Sequence, residues 1–210
     1  MSKKTIWDGL RKRGLSEEVT AAIMGNMEAE SDFISNRVQG DFTNGYTRSA
    51  EYTAQVDKGI ISREDFIYHG PSGGGYGLLQ WTFWSRKAGL YDFAKKRGTS
   101  IGDEDMQLDY LLTEGEWKAI KAKMNTLSIE EGAKLFMKEN ERPADTSQSA
   151  QNYRASLAVS IYNEMKEKPA GRCVSVPEAE YKRLTTAATI VDLMLNIKEL
   201  TEEYSNADFT

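Results

Sequence analysis

Apolar residues recur along this chain mostly at helical spacing. Val19, Ile23 and Met27 lie four and four apart, behind Ser16, Glu17 and Glu18, which read as an N-cap and an acidic first turn. The pattern predicts a helix over 17–30, preceded by a short one over 6–13. A further helix over 85–97 runs through Ala88, Leu90, Tyr91, Phe93 and Ala94 and stops at Gly98. Asp103 caps a helix near 106–112, another covers 116–127, and Ser128 with Glu131 forms a capping box for 129–138. A longer helix begins at Thr146 or Ser147 and carries Tyr153, Leu157, Ile161 and Met165. Helical structure resumes from about Leu78 after an irregular stretch. The one strand signal is Asn44-Gly45, a hairpin turn pair that allows a short ribbon within 36–48. The fold class is mainly α.

The periodicity breaks twice. Residues 33–75 hold Asn36, Gly40, Asp41, Asn44, Gly45, Gly59, Gly70 and Pro71, with helical pieces only near 49–57 and 62–67. An irregular segment of this length inside a domain is usually functional or disordered, and Phe42, Tyr46, Tyr52, Phe66 and Tyr68 argue for order. The second break, near 167–177, carries Pro169, Gly171 and Pro177 and reads as a linker. A helix over about 178–203 follows, with Leu184, Ala188, Val191 and Leu195 on one face, widened by Ala187, Ile190, Met194 and Ile197. Such a face needs a partner: a second copy, the first domain or another module. The organisation is therefore a helical domain over 1–166, a linker over 167–177 and a C-terminal amphipathic helix over 178–210.

Composition narrows the function. A net charge of −5 argues against a nucleic-acid partner, and the short basic runs Arg11-Lys12-Arg13 and Lys95-Lys96-Arg97 read as solvated helix faces. One cysteine, Cys173, permits no intrachain disulfide, which fits synthesis in a reducing cytoplasm. The N-terminal MSKKTIWDGLRKRG has no signal-peptide core, and no stretch approaches the roughly 20 apolar residues of a membrane span. With one histidine, His69, and that single thiol, zinc or Cys–His peptidase chemistry lacks ligands, and no metal or cofactor is expected.

The chemistry concentrates in GNMEAES, Gly25 to Ser31. Glu28 and Glu30 are two residues apart and so point, at roughly 100° per residue, to nearly opposite sides of the helix. Glu30 continues the Val19–Ile23–Met27 stripe where an aliphatic residue would stand, whereas Glu28 falls on the far, solvent side. Glu30 is thus the expected desolvated acid, with a raised pKa suited to protonating a glycosidic oxygen. A second constellation, GPSGGGYGLLQWTFW from Gly70 to Trp84, pairs glycines with Tyr76, Gln80, Trp81 and Trp84, residue types that pack on sugar faces and bond to sugar hydroxyls.

AAIMGNMEAESDF, then an irregular region, then GGGYGLLQWT, and later ENERPADTSQSAQNYRASLAVSIY, together resemble the phage tail lysozyme family of peptidoglycan-degrading enzymes over roughly residues 5–166. More distantly they resemble lytic transglycosylases. The resemblance implies a lysozyme-like helical domain with a long, irregular cleft-forming segment. It implies Glu30 as the catalytic glutamate and Tyr76, Gly77, Leu79, Gln80 and Trp81 as cleft-lining residues, with Tyr46 and Trp84 added as sugar-binding candidates. ESDFIS departs from the family's usual Glu-Ser-Gly-Phe-Asn-Pro, placing Asp32 where glycine is usual.

A hydrolase needs a second group, and Asp41, Thr47, Asp57, Glu64 and Asp65 are available in the irregular segment, with Asp41 and Thr47 preferred by their faint likeness to an Asp-plus-Thr pair that orients water. A transglycosylase needs none, because the sugar's own 6-hydroxyl attacks. The expected function is an endolysin-type glycosidase made in the host cytoplasm and acting on the wall glycan between N-acetylmuramic acid and N-acetylglucosamine. The alternatives are a lytic transglycosylase and a non-catalytic glycan-binding module. A homo-oligomer through the C-terminal helix is also open.

Overall fold

The computed structural model describes residues 3–69 and 74–167. The predicted terminal helix over 178–210, the linker beyond residue 167 and residues 70–73 lie outside the described residues. The fold is mainly helical, with α1 (Lys3–Lys12), α2 (Glu17–Ser31), α3 (Thr47–Asp57), α4 (Trp84–Arg97), α5 (Glu104–Thr113), α6 (Gly115–Met124), α7 (Ile129–Phe136) and α8 (Gln148–Glu167). Local chemistry sets their ends as the sequence predicts. Ser16 accepts the Val19 amide, Asp103 accepts that of Met106, and the Ser128–Glu131 box is made in both directions. Gly98 closes α4 at φ 71°.

Helix α2 is the axis of the domain. Every residue from Val19 to Met27 is buried, with α1, α7 and α8 packed around it. A helix covered on all sides must be small-sided somewhere for its neighbours to come close. Here that residue is Gly25: a Cβ at this position would lie 2.6 Å from the Arg154 carbonyl oxygen and 2.7 Å from the Ala158 Cβ. Its absence lets α8 lie directly on α2. Asn26, fully buried, donates to the Ala22 and Ala133 carbonyls at 3.0 and 3.1 Å and ties α2 to α7.

The irregular segment is ordered by a few buried polar groups. Gln107 accepts the Leu78 amide at 2.9 Å and donates to the Ser35 and Ile101 carbonyls at 2.6 and 2.8 Å, so three loops meet on one amide. Phe66 packs edge-on to Tyr76 at 5.4 Å beneath Tyr52 and Tyr91.

Two sequence expectations change here. The ribbon within 36–48 is not formed: Asn44–Tyr46 is a 3₁₀ turn feeding α3, and Val38 pairs with Tyr76 instead. Helix does not resume at Leu78, because Gly77 to Gln80 turn sharply, with Gly77 at φ 81° and a would-be Cβ 2.8 Å from Gln107 Oε1. The helix therefore starts at Trp84.

Candidate functional site

The end of α2 is fixed to the Gly77–Gln80 turn by Ser31, whose hydroxyl bonds the Met27 carbonyl and, at 2.9 Å, the Leu78 carbonyl. That one buried bond joins the two motifs that stand out in the sequence. Asp32 then caps α2 in the left-handed region at φ 53°, followed by Phe33 at 61°. Glycine suits such a position, which explains its usual place in the family motif; Asp32 itself is exposed.

Glu28 and Glu30 do point to opposite sides, but burial does not separate them: their side chains are 19% and 18% exposed. The expected contrast between a wet and a dry acid fails because α2 has protein on both flanks. What distinguishes them is the partner. Glu28 pairs with Lys3 of α1 at 2.8 Å, whereas Glu30 pairs with Arg154 of α8 at 2.5 Å. Glu30 therefore sits beside a guanidinium rather than in an apolar pocket.

Glu30 opens into a cleft of about 840 Å³, a size that suits a ligand of several rings. One wall comes from Leu79, Gln80 and Thr82 and from the start of α4, Phe83 to Arg86. The other comes from Asn140 to Ala144, and Gln39 and Glu116 complete the lining. Phe83 and Trp84 are 62% and 52% exposed, and Tyr68 stacks on Trp84 at 6.5 Å. Flat apolar faces held open to water in this way cost stability and suit C–H faces of a sugar. Gln80, at φ 44°, is held by its amide to the Arg37 and Gly77 carbonyls.

Arg86 ties the 140–144 side to the start of α4. Its guanidinium bonds Glu114 through two contacts of 2.6 and 2.8 Å and the Asn140 carbonyl at 2.9 Å. Trp81 donates its indole N–H to the same Glu114 at 3.0 Å. Beyond Asn140 stands Glu141, the last residue of a π-helical turn, Met137–Glu141, which ends α7. Its Oε1 is shut off from solvent with no hydrogen-bond partner in the protein. Burial first, and then the neighbouring Glu30 charge, hold the Glu141 carboxyl well above the usual carboxylate range. Glu141 and Arg154 fall within the last of the three family-like stretches but are not singled out there, and Arg86 lies outside them, since each acts through residues distant in the chain.

The remaining sequence candidates fall elsewhere. Tyr76 and Trp81, expected to face the sugar, are each 1% exposed and belong to the core. The Tyr76 hydroxyl pairs with that of Thr53 at 2.6 Å, and Trp81 serves Glu114 as described. Asp41 is 1% exposed and spends both oxygens on four hydrogen bonds, from the amide and hydroxyl of Thr43 and of Ser49. Burial opposes its ionisation, but those bonds outweigh it and hold the carboxyl below its ordinary range. Asp41 lines a separate, smaller hollow with Arg48, Glu51 and Tyr52.

Thr47 is exposed and bonded to Thr43 at 3.2 Å, and Tyr46 lies under the Arg37 guanidinium at 5.1 Å. Asp57 caps the Ile101 amide and Asp65 the Ser62 hydroxyl, while Glu64 is exposed. Asp41, Tyr46, Thr47, Tyr76 and Trp81 are thus not brought to the cleft lining, whereas Glu30, Gln80 and Trp84 are.

Among the described residues no group of three His, Cys, Asp or Glu side chains is placed to hold a metal ion, and no helix is long and apolar enough to cross a membrane. No curated protein matches the chain. A family model described as phage tail lysozyme matches residues 2–165, which takes in α1 to nearly the end of α8 and the whole cleft. By that match, over most of its length, the chain belongs to the phage tail lysozyme family, whose lysozyme-like activity degrades peptidoglycan.

Proposed function

We propose that this protein is a glycosidase of the muramidase type, cutting the glycan strand between N-acetylmuramic acid and N-acetylglucosamine, with Glu30 as the residue that protonates the leaving oxygen. The observation that carries the reading is the placement of Glu30: a carboxyl anchored by its neighbour Ser31 to the Gly77–Gln80 turn, opening into a cleft that also bears exposed Phe83 and Trp84. Sugar rings pack on those faces while Gln80 and backbone groups bond their hydroxyls. Bond cleavage leaves an oxocarbenium-like centre at C1, which an incoming hydroxyl captures.

One observation favours a second reading, a lytic transglycosylase. Asp41, the preferred water-activating carboxylate, is fully engaged by Thr43 and Ser49 away from the cleft lining. Intramolecular attack by the 6-hydroxyl needs no such group.

Digestion of purified peptidoglycan followed by mass spectrometry separates these outcomes. A reducing muramic end supports the muramidase, and a 1,6-anhydro end supports transglycosylation. A reducing glucosamine end overturns the bond assignment. Glu30→Gln is expected to lower the rate by about 100-fold or more; wall lysis undiminished in that variant overturns the role of Glu30.

A further inference from the structure

We infer that Glu141 is a second carboxyl of the reaction centre, and that the pair Glu30–Glu141 together holds the one proton delivered to the glycosidic oxygen. This rests on the reading of Glu30 as proton donor and deepens it.

Three polar atoms at this place lack partners within the protein: Glu141 Oε1, Asn140 Nδ2 and Arg154 Nε. Asn140 and Glu141 both line the cleft that Glu30 opens into, and Asn140 is fully buried. A folded domain rarely leaves such atoms unpaired unless something else satisfies them. Here an unpaired donor and an unpaired acceptor belong to two residues of the cleft lining, and the third atom belongs to Arg154, the partner of Glu30. Glu141 is the last residue of the π-helical turn Met137–Glu141, a local geometry often found at functional sites.

The charges around Glu141 come from every element packed on it. Glu30 faces it from α2, Arg86 from α4, Glu114 from the α5–α6 junction and Arg154 from α8, with Glu116 and its own neighbour Arg142 on the cleft surface. Glu114 is already neutralised by Arg86. That leaves two carboxyls, Glu30 and Glu141, against Arg154. Two ionised carboxyls beside one guanidinium leave a net negative charge in a confined space, so the pair retains a proton. Glu141, buried and facing Glu30, keeps its proton and so supplies one to the site.

In the reaction that proton moves to the leaving oxygen as the C1–O bond breaks. The pair is left doubly charged against Arg154. It takes up one proton again from the water or 6-hydroxyl that bonds to C1, which restores the starting state.

The test is the pH profile of kcat/KM on soluble glycan for wild type, Glu141→Gln and, as a control on the same turn, the exposed Glu139→Gln. Glutamine copies the shape of the neutral acid but carries no transferable proton. Glu141→Gln is expected to move the alkaline limb down by about one pH unit or more and to lower the rate at pH 7 by about tenfold or more, with partial recovery in acid. Glu139→Gln is expected to follow wild type.

An unshifted limb in Glu141→Gln, with Glu30→Gln inactive, overturns this inference and leaves the role of Glu30 standing. Full activity of Glu30→Gln overturns both. A carbon-13 NMR titration of the wild-type glutamate carboxyls checks the same point without a variant: a coupled pair retaining one proton near neutral pH supports it, and two groups fully ionised by about pH 6 overturn it.

Discussion

Gly25→Ala sets two effects of opposite sign against each other. Alanine is favoured over glycine inside a helix by about 1 kcal/mol, so on propensity alone the variant gains stability. The structure predicts the reverse. The added Cβ would meet the Arg154 carbonyl oxygen at 2.6 Å and the Ala158 amide nitrogen and Cβ at 2.7 Å. None of these atoms belongs to a flexible side-chain end that could swing aside. Reaching ordinary contact requires α8 to retreat by roughly an ångström. Overpacking of this kind costs about 1–3 kcal/mol, and contact with rigid backbone argues for the upper part of that range.

The net loss for Gly25→Ala is therefore about 1–2 kcal/mol, or roughly 2–8 °C in Tm for a domain of this size. The displaced helix carries Arg154, so its contact with Glu30 is disturbed as well. A misplacement of that order near a reacting group lowers turnover by about 10- to 100-fold. Urea unfolding followed by tryptophan fluorescence measures the first effect, and muropeptide release the second. Gly115→Ala is the control: at the first position of α6 no heavy atom lies within 4 Å of the new Cβ, so stability should hold or rise slightly. A Gly25→Ala variant as stable as wild type would refute the close α2–α8 contact.

Glu114→Ala should cost about 3–5 kcal/mol in urea unfolding, since it strands the largely covered Arg86 guanidinium and the buried Trp81 N–H; a loss under about 1 kcal/mol would show the pair to be dispensable. Trp84→Ala should raise KM for glycan by about 5- to 30-fold, with Tm nearly unchanged because half the ring is already in water; an unchanged KM would remove Trp84 from the sugar site. Burial under Phe66 pushes the Lys87 ammonium down to about 8, below its unfolded value of about 10.4. The folded state is thus favoured by deprotonation, so stability should rise between about pH 8 and 10.4. Lys87→Met should be the more stable at pH 7, by a margin that shrinks across that window in thermal melts; a constant margin would contradict it.

Much of the fold was legible because it is local. Caps such as Ser16, Asp103 and the Ser128–Glu131 box act within one turn of the chain, and they set the helix starts where the pattern places them. The same holds for Gly98, whose left-handed conformation is a property of that residue. The motif around Glu30 was also visible, as a carboxyl interrupting an apolar stripe.

The sequence pattern failed wherever a residue's environment comes from elsewhere. Tyr76 and Trp81 are aromatic, and composition cannot tell a sugar platform from a core ring; their hydrogen bonds to Thr53 and Glu114 decided it. Asp41 looked available until Ser49 and Thr43 took its oxygens.

By itself the sequence determined the helices, their ends and the acid that stands at the end of α2, because backbone propensity and capping need only near neighbours. Only the tertiary structure decided what that acid faces. Arg154 lies 124 residues further along the chain and reaches Glu30 because Gly25 lets α8 settle against α2. Glu141 joins the same cleft at the end of a π-helical turn. The charge state of a carboxyl depends on burial and on charges within a few ångströms, and those neighbours are chosen by packing, not by position in the sequence.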